Sequence, residues 1–149
     1  MKRQDVKLQY KWKTEDIFSS DEEWEKCYEQ AEKTLDFSAY AGKLGDSDVL
    51  LSFFKHDDEY SIVLGKLATY AHLKHDEDTS VSKYASYYAK TGSLFAKYST
   101  ALAFFEPEMA KLEENYLKSL ISDKRFADYD YIIKKIIKRK PHTISEQEE

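Results

Sequence analysis

Two histidines three positions apart, His72 and His75, followed at once by Asp76, form the grouping in this sequence with metal-ligand spacing, because residues three and four apart share a helix face. Zinc needs more than this: a structural site takes four protein ligands, a catalytic one three and an open position for water. His56 and His142 stand elsewhere in the chain, and Cys27, the single thiol, belongs to a different predicted helix. None of the four histidines is followed by glutamate with a second histidine four residues after the first. The chain therefore lacks His-Glu-x-x-His, the pattern that seats zinc on one helix face and supplies the glutamate that activates its water. Near a predicted helix end, protonated imidazoles also complement the dipole, so His72 and His75 read more simply as helix-terminal residues than as ligands. The acidic run Asp76-Glu77-Asp78 lacks the glycine and the alternation of a calcium loop and reads as a turn. No serine or cysteine stands in a recognisable arrangement with a base and an orienting group. The expectation is a chain with no catalytic residue and no bound metal of its own.

A second set of side chains bears on binding. Tyr84, Tyr87, Tyr88 and Tyr98 recur along one predicted helix, and twelve tyrosines in 149 residues is a high content. Hydroxyls and ring faces suit the wall of a peptide channel, but an aromatic stripe at helical spacing is more often core. Core is the preferred reading. The basic run Lys134 to Lys140 sits where a helix should end, and there cations complement the dipole. A net charge of −5 and a pI near 5.5 argue against affinity for phosphate backbones. The N-terminus has no apolar stretch for a signal peptide, and no run approaches the roughly 18 residues of a bilayer span. A reducing, cytoplasmic setting suits the single cysteine.

The elements that must position these residues are helices, since four glycines and two prolines in 149 residues leave few turns and sheets need turn residues more often. The central element is a long helix from Ser80 to Phe105. One stripe holds Val81, Tyr84, Tyr88, Phe95 and Leu102; a second holds Tyr87, Leu94, Tyr98, Ala101 and Phe105; Ala85, Ala89, Gly92, Ala96, Ser99 and Ala103 form a small-residue ridge. Lys83, Lys90 and Lys97 make its only strongly charged face. An apolar arc this wide predicts a mostly buried helix with neighbours on two sides, and burial of Phe95 in particular.

Before it, residues 1–13 read as an extended arm whose Tyr10 and Trp12 dock on the body, and Thr14 caps a turn burying Ile17 and Phe18. The capping box Ser20 to Glu23 opens a helix to about Asp36. Ser47 caps another, His56-Asp57-Asp58 interrupts it, and a helix of about Tyr60 to His75 makes an antiparallel hairpin with the central one. After it, Pro107 restarts the chain at a first helical position. A break falls near Asn115, Asp123 opens a last helix, and Pro141 closes it. Ile144 to Glu148 forms a second capping box, announcing a further helix. The reading is all-α: a multi-helix bundle with a long central antiparallel hairpin, one domain over 1–149, with an arm and turn at 1–19, a helical body at 20–140 and the truncated start of a next helix at 141–149.

These residues, taken together, resemble the N-terminal region of the oligoendopeptidase F group of the thimet-oligopeptidase-like M3 zinc metallopeptidases. The likeness is carried by Tyr10, Trp12 and Asp16-Ile17-Phe18; Trp24; Lys66 to Leu73 with Asp76, Asp78 and Thr79; Phe105 with Pro107-Glu108; and Lys140-Pro141-His142 leading to Ser145 and Glu148-Glu149. Ile144 departs from it, since the family more often has Leu there. The resemblance implies a cytoplasmic parent enzyme with zinc, cutting short peptides inside a channel between helical lobes, with this chain as part of a lobe that walls the channel and the C-terminal catalytic portion of the same chain as its partner. The rival reading is a self-contained helical interaction module. A third is a small metal-binding protein using His72 and His75. Neither nucleic acid nor membrane is expected as a partner.

Overall fold

The computed structural model describes residues 6–144, which are all-α with no strand among them. Six α-helices follow in order: α1 (Asp21–Thr34), α2 (Ser47–Glu77), α3 (Ser82–Ala101), α4 (Phe105–Lys111), α5 (Glu114–Ser122) and α6 (Asp130–Ile144), with 3-10 turns at Leu8–Tyr10, Thr14–Asp16, Ser38–Tyr40 and Lys124–Tyr129. The chain divides into two compact units: residues up to Leu35 with Glu59–Thr100, and Asp36–Asp58 with the residues from Ala101 on.

The first unit is built on Trp24. Asp21, Trp24, Tyr28 and Ala31 share a face of α1, and Trp24, fully buried, lies stacked on Tyr87 of α3 at 3.9 Å and on Tyr28 at 5.4 Å. Its indole N–H donates to the Leu67 carbonyl of α2 at 2.9 Å, so the one polar atom of the largest core side chain is satisfied inside the core. Tyr60 does the same with the Ala31 carbonyl at 3.0 Å. Leu64, Leu67, Tyr70, Ala71 and Leu94 complete this core. Tyr60 stacks on Tyr98 and His72 on Tyr88, so α2 from its middle onward runs antiparallel to α3.

The second unit is built on Phe53 and Phe54 at the start of α2. Phe53 meets Phe37 edge-on and stacks on Phe105 at 4.9 Å; Phe54 stacks on Tyr129 at 4.4 Å and meets Phe126 edge-on. Its loop at 41–46 is held by Glu108, whose two carboxylate oxygens accept from the amides of Gly42 and Leu44, both at 2.7 Å. Gly42 has φ +78°, a conformation glycine adopts without strain.

Several boundaries differ from the sequence reading. α2 is one helix of 31 residues, uninterrupted at His56-Asp57-Asp58. An aspartate can cap a helix, but with no glycine or proline nearby it does not break one. Its cap is Asp46, one residue before the expected Ser47, with Oδ1 accepting from the amides of Asp48 and Val49. The Ser20 hydroxyl accepts from Glu23 as the capping box requires, while Glu23 reaches back to the amide of Ser19 instead of Ser20. Pro107 falls third in α4, where its missing donor is still one of the four that a helix start leaves unpaired. The break after α4 falls at Leu112–Glu113, not Asn115. Asp123 caps the 3-10 segment before α6, and α6 runs through Pro141 to Ile144. Tyr10 and Trp12 are 72% and 51% exposed, so the arm's aromatics do not dock. Residues 145–148 of the second capping box lie outside the described residues.

The largest correction concerns α3. It spans Ser82–Ala101 and buries Tyr87, Thr91 and Leu94, the edge nearest the second stripe alone. Phe95 and Tyr88 of the first stripe are 43% and 45% exposed. The helix is therefore half surface, not mostly buried.

Candidate functional site

The densest grouping of titratable side chains lies in the first unit, where α1, α2 and α3 meet. Asp21 Oδ1 accepts from the Tyr70 hydroxyl at 2.8 Å, and Oδ2 accepts from Tyr84 at 3.3 Å and from Lys83 Nζ at 3.0 Å. One turn along α1, Glu25 accepts from the Tyr87 hydroxyl and lies 3.7 Å from Lys83. Lys74 Nζ sits over both the Tyr70 and Tyr84 rings, at 5.5 and 5.6 Å.

The protonation states are set by these contacts. Burial alone would raise the Asp21 carboxyl, but hydrogen bonds from Lys83 and Tyr70 with the charges of Lys83 and Lys74 outweigh it and hold the group below its ordinary value. Burial, together with the neighbouring carboxylates, pushes the Tyr70, Tyr84 and Tyr87 hydroxyls up. Lys83 is raised by its hydrogen bond to Asp21. At neutral pH Asp21 is ionised, the three phenols protonated and Lys83 charged, so none of these five is poised to exchange a proton with a substrate, as acid–base catalysis requires. The arrangement fastens α1 to α2 and α3.

His72 is exposed, His75 half-buried, and both lie against the Tyr88 ring, at 4.4 and 5.4 Å. Among the described residues no three His, Cys, Asp or Glu side chains come together to hold a metal. These residues therefore do not fit a zinc ion. His56 is engaged elsewhere, with Nδ1 3.2 Å from the Tyr40 hydroxyl and its ring stacked on Phe37. The His142 side chain lies outside the described residues. Burial pushes the Cys27 thiol up, away from the thiolate a nucleophile needs. A cavity of about 330 Å³ beside Tyr40, Lys43 and Val49 in the second unit offers no free polar group, since Asp46 caps α2 and Asp48 pairs with Arg125 at 2.6 Å. No helix of the described residues is long and apolar enough to cross a membrane.

Of the tyrosines singled out by spacing, Tyr87 is core, Tyr84 and Tyr98 are half-buried, and Tyr88 faces outward. The Asp21–Glu25 carboxylates were missed. Their signal was present in the spacing of Asp21, Glu25 and Glu32 on one face of α1, opposite the lysines of α3.

The chain is helical through its described residues, and its polar clusters fasten helices. Its relatives are peptidases. The family model for oligopeptidase F matches residues 108–149. Oligopeptidase PepF of Bacillus subtilis is 38% identical over 99% of this chain, and group B oligopeptidase PepB of Streptococcus agalactiae 34% identical over 99%. A crystal structure from Chlamydophila abortus superposes with a TM-score of 0.85 over 95% of the chain at 21% identity, a likeness of fold. The chain spans 22% and 25% of the lengths of the two relatives, and 24% of the solved chain. The chain is similar to the N-terminal region of oligoendopeptidase F of the M3 peptidases.

Proposed function

We propose that this chain is a helical N-terminal lobe of a cytoplasmic zinc oligopeptidase, forming part of the wall of the channel in which short peptides are cut, while the downstream part of the parent chain holds zinc and performs hydrolysis. The observation that carries this reading is the match itself: the chain aligns end to end with oligopeptidases about four times as long. A rigid lobe excludes folded proteins by bulk, and it needs no reactive group of its own. The fastening of α1 to α2 and α3 through Asp21 and Glu25 supports that role, because a wall must hold its shape while peptides pass. Zinc chemistry needs three ligands with an open position, which favours placing it beyond this segment. The test is to extend the coding sequence past Glu149. A downstream His-Glu-x-x-His and chelator-sensitive peptide hydrolysis by the longer protein are expected; a stop codon would support the self-contained module instead.

A further inference from the structure

The three lysines of α3, spaced by seven like a solvent stripe, are all turned toward α1. Lys83 pairs with Asp21 and Glu25, Lys90 lies over the Tyr28 ring at 5.6 Å, and Lys97 pairs with Glu32 at 2.5 Å. These lysines are themselves exposed; the face of α3 turned away from them is uncharged. Around the helix from Phe95 through Tyr88, Ser99, Gly92 and Ala85 to Ala96 runs an arc of about 100° in which all six residues are exposed and none is charged. Single exposed apolar residues need no explanation; a helix whose only charges pair along the α1 edge and whose remaining exposed face is continuously uncharged does. A β-carbon built on Gly92 would meet nothing within 4 Å, so a facing backbone has room to approach. His75 Nδ1, beside Tyr88, is buried without a hydrogen-bond partner among the described residues, and buried polar atoms seldom remain so.

We propose that this face of α3 is an interface, covered in the complete protein by an apolar segment of the parent chain downstream of Glu149. The inference rests on the reading of the chain as part of a longer peptidase. In relatives that match it from end to end, some three quarters of the molecule lies outside the matched part, and that mass must dock on it somewhere. An uncharged face with two aromatic rings flanking an open glycine fits a helix laid along it. It does not fit peptides of varied charge.

The test places Phe95→Glu and the conservative Phe95→Leu in both the 149-residue chain and the complete parent, and reads thermal unfolding and the rate of limited proteolysis between this lobe and the remainder. In the 149-residue chain both variants should unfold with the wild type. In the parent, Phe95→Glu should speed cleavage at least about tenfold, equivalent to about 1.4 kcal/mol of lost docking, with Phe95→Leu close to wild type. Unchanged cleavage in the parent would overturn the proposal. So would a wild-type 149-residue chain that sediments as a dimer and is made monomeric by Phe95→Glu, because the occupant would then be a second copy. A neutral Phe95→Glu in a parent that has His-Glu-x-x-His and hydrolyses peptides sinks only the docking face; a longer parent without that motif sinks the peptidase reading and leaves the docking result standing.

Discussion

Trp24 and Phe95 differ in what their removal leaves behind. Trp24 is fully enclosed and its indole N–H donates to the Leu67 carbonyl, so Trp24→Ala leaves a cavity, removes that hydrogen bond and should cost about 3–5 kcal/mol. Phe95→Ala in the 149-residue chain removes a ring that is 43% exposed and should cost less than about 1 kcal/mol. Urea midpoints of the two variants check this, and comparable losses would contradict it. Asp21 carries a pH dependence. Its folded value lies below its unfolded one near 3.9, so its contribution is present above about pH 4 and is lost as pH falls through the folded value. Asp21→Asn should be less stable than wild type at pH 7, with the gap closing in thermal melts as pH falls below the unfolded value near 3.9 and through the lower folded one; a gap that stays constant would remove Asp21 from the network. Trp24 was legible as core from its helical spacing with Tyr28 and Ala31. The burial of Phe95 was read wrongly because α3 has two apolar stripes, and periodicity does not say which of them packs when the charged stripe has partners of its own.

The starts of α1, α2 and the 3-10 segment before α6 are set by side chains that the local pattern identifies to within a residue, whereas α4 and α5 begin without a side-chain cap. Ser20, Asp46 and Asp123 each accept from amides of the first turn that follows, and Ser20→Ala should cost about 0.5–2 kcal/mol by freeing the Glu23 amide. Glu108 acts over a longer range, since one carboxylate takes two amides of the 41–46 loop. A glutamine there can accept from one amide but presents a donor to the other. Glu108→Gln should lower stability by about 1–3 kcal/mol, and hydrogen exchange should show faster exchange of the Gly42 and Leu44 amides; protection equal to wild type would contradict the clamp. The helical class was legible from the scarcity of glycine and proline. The unbroken length of α2 was not, because His56-Asp57-Asp58 looks like a cap until Phe53, Phe54 and Tyr60 are seen to continue one helix on either side of it. Nor was the Glu108 clamp, whose partners lie more than sixty residues away in the chain.

At the scale of the molecule, each of the two compact units has an aromatic core and is braced within itself: in the first, carboxylates accept from tyrosine hydroxyls, and in the second Glu108 accepts from backbone amides, while the described residues bring no three metal ligands together. The likeness to the family was legible in residues scattered along the chain, from Tyr10 to Glu149, and the relatives agree with it. The most direct measurement is hydrolysis of a quenched fluorescent peptide by the 149-residue chain and by the same chain extended through its full coding sequence, each with and without added zinc, alongside metal analysis of both proteins. The account predicts no turnover and no stoichiometric zinc for the 149-residue chain, and chelator-sensitive turnover for the extended one. Turnover by the 149-residue chain that is abolished by a chelator and lost in a His72→Ala, His75→Ala double variant would contradict it.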